Sequence, residues 1–159
     1  MRDAMPELFL IRHAHAVDAE ENPERPLSDR GRKQIRTLAK FLCPNGAPQP
    51  SEIWHSSLVR SRETAQLLAE RLELDAPLVL VAGLEPEDEP AVIARKIEAL
   101  RHPLAIVGHE PHLSALASLL VAGPEGRAMF VLKKCSVLAL EGAGARWQVR
   151  WLISPELLA

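Results

Sequence analysis

The chain has 159 residues, 47% hydrophobic and 25% charged, which suits one globular domain, residues 1–159, around a single core. A formal net charge of -2 excludes the basic excess that nucleic acid or an anionic membrane would require, so any affinity for anions has to be local. Cys43 and Cys135 are too few for a disulfide framework or a zinc knuckle and read as reduced thiols of a cytoplasmic protein.

Leu8-Phe9-Leu10-Ile11 predicts a short strand covered on both faces, ending at Arg12-His13. It is too short for the apolar region of a signal peptide, and no stretch reaches the roughly 20 apolar residues of a membrane span. Residues 18–26 read as an acidic surface loop. Ser28 then caps a helix with Ile35, Leu38, Ala39 and Leu42 on its apolar face, and Pro44, Gly46, Pro48 and Pro50 end it. Ile53-Trp54 opens a second strand, followed by Ser56 and Ser57. A helix over residues 60–72 turns Ala65, Leu68, Ala69 and Leu72 inward.

Residues 78–81 predict a third strand, 85–90 an acidic loop, and 91–100 a helix facing inward through Ile93, Ile97 and Leu100. A fourth strand at 104–107 stops at Gly108-His109, and Pro111 suits the first turn of the helix that follows. Residues 136–140 and 147–153 around Gly142-Ala143-Gly144 predict a hairpin. Alternating strands and helices imply a three-layer α/β/α sandwich. Its twisted sheet is mostly parallel, of about six strands, with an antiparallel edge strand from the hairpin.

In such folds ligands gather beyond the C-terminal ends of the strands. There the sequence puts Arg12-His13, Ser56 with Arg60 further on, and Gly108-His109. Guanidiniums offer planar forks matched to phosphate oxygens, and a neutral imidazole is a competent covalent carrier. A transferred group with charge spread over three oxygens needs such positioning above all.

These residues carry a resemblance. Leu10-Ile11-Arg12-His13-Ala14 resembles the Arg-His-Gly signature of the histidine phosphatase superfamily, the phosphoglycerate mutase-like family. Pro26-Leu27-Ser28-Asp29-Arg30-Gly31 resembles its Pro-Leu-Ser/Thr-x-x-Gly lead into the first helix, and residues 56–65 its Ser-Pro-Leu-x-Arg-Ala-x-x-Thr-Ala segment. Val107-Gly108-His109-Glu110-Pro111 is similar to the Gly-His-Asn/Glu-Pro of the small SixA-type phosphohistidine phosphatases. Residues 133–137 and 151–155 look like the tail of that subgroup. Ala14 and Ser57 depart from the usual Gly and Pro.

The resemblance implies His13 as a nucleophile that becomes phosphorylated. Arg12, Arg60 and His109 would bind the phosphoryl oxygens, with Ser56 either touching phosphate or holding its loop. It implies no metal and no cofactor. Glu85, with Asp88 behind it, is the candidate proton donor. The substrate is expected to be phosphohistidine in a protein, with a small phosphorylated metabolite as the alternative. A non-catalytic phosphate-binding module is a third reading. A metal hydrolase is disfavoured because His-Glu-x-x-His fails at Leu113. His15 and His112 remain open between pocket rim and structural roles, Arg25 between substrate and acidic loop. His55 reads as structural, and His102 as a loop residue. Arg30, Arg32, Lys33, Arg36 and Lys40 read as a solvated helix face, open to an acidic partner protein. Oligomeric state leaves no trace in the sequence.

Overall fold

A computed structural model of the chain describes residues 5–158, so residues 1–4 and 159 of the expected 1–159 domain lie outside it. In chain order the elements are β1 (Glu7–Arg12), α1 (Asp29–Gly46), β2 (Glu52–His55), α2 (Val59–Arg71), β3 (Leu78–Leu80) and α3 (Pro90–Ile97). There follow β4 (Leu104–Gly108), α4 (His112–Ala122), β5 (Val137–Ala143), β6 (Arg146–Ile153) and a short 3-10 turn, Pro155–Leu157. Six strands form one sheet in the order β3-β2-β4-β1-β5-β6. The first four are mutually parallel; β5 lies antiparallel to β1, and β6 antiparallel to β5. The expected antiparallel edge strand is β6, while β5 is interior. Gly144, with φ 62, allows the tight turn between them.

Both faces of the sheet are covered, which is why its central strands are continuous apolar runs rather than alternating ones. Leu8, Leu10, Leu104, Ile106, Leu138 and Leu140 face α3 and α4 through Ile93, Ile97, Leu113 and Leu116. Phe9, Ile11, Ile53, Ala105, Val107 and Val137 face α1 and α2 through Ile35, Leu38, Ala65 and Leu68. Each such leucine or isoleucine taken from water contributes about 1.5–3 kcal/mol before chain entropy is charged against it. None of the helices among the described residues is long and apolar enough to cross a membrane.

The Ser28 cap forms as expected: its hydroxyl accepts from Gly31 N–H at 3.1 Å. The helix does not stop at Pro44 but runs to Gly46. A proline there costs a single hydrogen bond in a last turn that frays anyway, so the helix absorbs it. The first turn of α1 is pressed onto the β1–α1 loop, because the His15 carbonyl accepts from Ser28 N–H at 3.0 Å. A Cβ at Gly31 would lie 2.1 Å from that same carbonyl oxygen. Gly31→Ala is therefore expected to destabilise the fold by about 3 kcal/mol, lowering the melting point by about 10 °C. An unchanged melting curve would contradict this close approach.

Candidate active site

Strand register brings the polar strand ends together. Arg12 pairs with Gly108 across β1 and β4, and His55 pairs with Val107 across β2 and β4. His13 and His109 thus step off adjacent parallel strands at one level, and Ser56 leaves the third strand one residue below them, with β4 in the middle. His13 N–H donates to Gly108 O at 3.0 Å. The His13 and His109 rings lie 5.1 Å apart between centroids. Arg60 enters from the first turn of α2.

His13 is buried, and its Nδ1–H donates to its neighbour's carbonyl, Ala14 O, at 2.7 Å. That bond selects the tautomer whose Nε2 carries a free lone pair. Ala14 N–H in turn donates to the buried Thr64 hydroxyl at 3.0 Å, and Thr64 donates to Arg60 O at 2.7 Å. One threonine thereby ties the segment after His13 to the helix bearing Arg60. Ala14 is not among the positive-φ residues, so its methyl group replaces the family's glycine without backbone strain.

Ser56 is buried and bonded to His109 Nε2 at 2.6 Å. Its hydroxyl already accepts from Leu58 N–H at 3.2 Å, so its own proton is free to go to Nε2, which leaves His109 protonated at Nδ1. Ser61 fixes Ser56 from below: its hydroxyl accepts from Ser56 N–H at 3.0 Å and donates to Val107 O at 2.8 Å.

Burial pulls the His13 pKa down to about 4, reinforced by Arg60, Arg12 and Lys134 and opposed by the Ala14 hydrogen bond. Burial likewise takes His109 to about 3, with His13 and Arg60 adding to it. Both rings are therefore neutral at pH 7. The unfolded chain takes up these protons near the ordinary value of 6.5, the folded one only near 4 and 3. Between those limits the unfolded state holds more protons, so this contribution to stability is full above about pH 6.5 and falls on acidification. A ring titration of the free protein by NMR is expected to place the His13 midpoint near 4. A midpoint at 6.5 would contradict the desolvated site.

The arginines complete the ring. Arg12 Nη1 donates to Leu132 O at 2.8 Å, and Arg12 N–H to Ser136 O at 3.1 Å. Cys135, buried at φ 62, donates its N–H back to Arg12 O and His13 O. Residues 132–136 thus strap the end of β1 and carry Lys134 into the field of His13. Burial lowers both guanidinium pKa values, offset by Glu110 on Arg12 and deepened by Arg25 on Arg60. Three buried N–H groups, Arg12 Nε, Arg60 Nε and His109 Nδ1, have no partner among the described residues. Such a donor costs about 1–3 kcal/mol unless something accepts from it, and a tetrahedral anion would accept from all three.

The remaining candidates make other contacts. Glu85 lies exposed on the turn after β3, its carboxylate accepting from the Ser57 hydroxyl at 2.5 Å, while its N–H donates to Asp88 at 2.8 Å. His15 Nδ1 lies 2.6 Å from the Ser28 hydroxyl and braces the helix cap. His112 is buried in the first turn of α4, near the Gly83 backbone and close enough to His109 to act on it. His55 is buried and bonded to Ser56 O, His102 exposed. No group of three or more His, Cys, Asp or Glu among the described residues could hold a metal ion. Lys134, Thr64 and Ser61 lie inside the segments that carry the resemblance, Thr64 at its Thr and Ser61 where it has Ala, but only the fold shows what each of them touches.

The sequence model of the histidine phosphatase superfamily (branch 1) matches residues 8–85. No curated protein matches the chain by sequence. Among solved structures, the fold is similar to a protein histidine phosphatase SixA complexed with tungstate. That match has a TM-score of 0.85 and 19% identity, covering 96% of this chain and 99% of that one. It is also similar to a mycobacterial glucosyl-3-phosphoglycerate phosphatase complexed with VO3, at a TM-score of 0.66 and 20% identity over 91% and 97% of the two chains. With its signature residues gathered at the end of a sheet of the same architecture as SixA, residues 8–85 of this chain match the histidine phosphatase superfamily.

Proposed function

We propose that the protein hydrolyses phosphohistidine on a partner protein through a covalent phosphohistidine at His13. The observation that carries this is the tautomer: Nδ1–H is tied to Ala14 O, so Nε2 faces the reaction as a base-free nucleophile beside three unpartnered N–H donors. In the first step Nε2 attacks phosphorus and the bond to the leaving group breaks. Arg12, Arg60 and His109 hold the phosphoryl oxygens as charge spreads over them. Water then attacks the His13–phosphorus bond, releasing inorganic phosphate and restoring the lone pair.

The leaving group distinguishes the substrates. An alkoxide needs a proton as it departs, and Glu85 is the carboxylate assigned to that task. It is exposed and held by Ser57 rather than aimed by a buried network. Departing imidazole leaves neutral when its other nitrogen is protonated, so it needs little help. This supports phosphohistidine over a sugar or nucleotide phosphate, as does the shape shared with the SixA structure, named a protein histidine phosphatase. A cytoplasmic setting accords with two thiols that form no disulfide.

The test is a comparison of kcat/KM for phosphohistidine peptides with that for a panel of phosphate monoesters. The proposal expects the phosphohistidine values to exceed the monoester values by at least about 100-fold, the scale on which general-acid assistance acts. Faster turnover of a monoester would transfer the function to metabolite phosphate, with Glu85 as its acid.

A further inference from the structure

Beside the phosphoryl pocket the surface opens into a groove lined by four cations, Arg12, Arg30, Lys133 and Lys134, with His15 and a single carboxylate, Glu156, among its other lining residues. Arg30 stands on the first turn of α1 and the two lysines on the strap that wraps Arg12, so the groove and the pocket share one wall. Arg25 joins the group from the β1–α1 loop, close enough to act on Arg60 and Lys134. In a chain of net charge -2 this is a local excess of cations. Among the described residues none of Arg25, Arg30, Lys133 or Lys134 forms an ion pair; the pairs present are Arg32–Glu63, Arg150–Glu7 and Arg150–Glu141. Asp18 is near enough to register on Lys134, and Glu156 is the one carboxylate that lines the groove, against four cations.

Crowded like charges that outnumber their counter-charges repel one another and are retained at a cost. Here they are also held in place: Arg25 Nε donates to Val17 O at 3.0 Å, and the Lys133 carbonyl accepts from Ser136 N–H at 3.0 Å and from its hydroxyl at 2.6 Å. We propose that this groove receives the acidic side chains that flank the phosphohistidine on the substrate protein. The inference rests on the phosphohistidine reading and specifies the partner: a protein whose target histidine lies beside Asp or Glu residues. Arg30 and Lys133 are exposed and belong to separate elements, an arrangement that suits several spread carboxylates better than one compact second phosphate.

The experiment uses two synthetic phosphohistidine peptides, one with Glu on both sides of the histidine and one with Gln, together with a small bisphosphate. Each is tested on the wild-type protein and on the double variant Arg30→Glu/Lys133→Glu. For wild type, kcat/KM is expected to favour the Glu peptide by about fivefold to tenfold through KM, the modest gain that a few exposed ion pairs supply. The preference shrinks in high salt. In the variant it disappears or reverses, while the Gln peptide is turned over as before. Equal preference in wild type and variant would overturn the groove's role. A variant that loses only the bisphosphate would overturn the protein partner in favour of a doubly charged metabolite. If wild type hydrolyses neither peptide, the phosphohistidine reading itself falls, an outcome distinct from the loss of the preference alone.

Discussion

His13→Ala is expected to lower phosphatase turnover by at least about 10⁴-fold while the protein stays folded and still binds vanadate or tungstate. The scale follows from the role proposed for the imidazole: it would supply the covalent route, and what survives its loss is the charge stabilisation by the donors around it. Folding is spared because the side chain is an awkward tenant. It is buried, it makes one hydrogen bond to its neighbour's carbonyl, and its surroundings hold it neutral. Steady-state rates, a melting curve and oxyanion binding check the three parts. Substantial turnover in this variant would mean that water, not His13, attacks phosphorus.

Arg60→Ala is expected to reduce kcat/KM by about 10²–10³-fold, the range observed when one preorganised donor is removed from a charged transition state. It tests the anion site more cleanly than Arg12, because Arg12 also ties down the strap through Leu132 O, whereas Arg60 Nε has no partner among the described residues. Arg60→Lys is expected to recover only part of the loss, since an ammonium offers a point charge where the guanidinium offers a planar fork. Rates beside oxyanion affinity give the readout. Equal activity of wild type and Arg60→Ala would remove this residue from the phosphoryl pocket.

Much of this arrangement is legible in the sequence because short, fully apolar runs such as Leu8-Phe9-Leu10-Ile11 end abruptly in residues with chemistry. A parallel sheet then delivers those ends to one edge. His13, Ser56 and His109 are legible for that reason. The helix face Ile35, Leu38, Ala39 and Leu42 is legible from its 3.6-residue period, and all four are buried. What escapes is long-range. Thr64 meets the Ala14 amide, and Ser61 the Val107 carbonyl, through side-chain bonds across many residues. Cys135 adopts φ 62, a conformation a cysteine does not advertise, and with it comes the placement of Lys134. The continuation of α1 through Pro44 escapes as well, since proline is a stop signal by frequency while its cost in a last turn is small.

The central claim is that His13 Nε2 becomes bonded to phosphorus during turnover. The most direct measurement is rapid quenching in alkali, where phosphohistidine survives, of the protein mixed with radiolabelled substrate, followed by mapping of the label. Label on the peptide containing His13, absent from His13→Ala and released as inorganic phosphate on a chase, is the expected result. Full hydrolysis with no label on His13 at any quench time would contradict it.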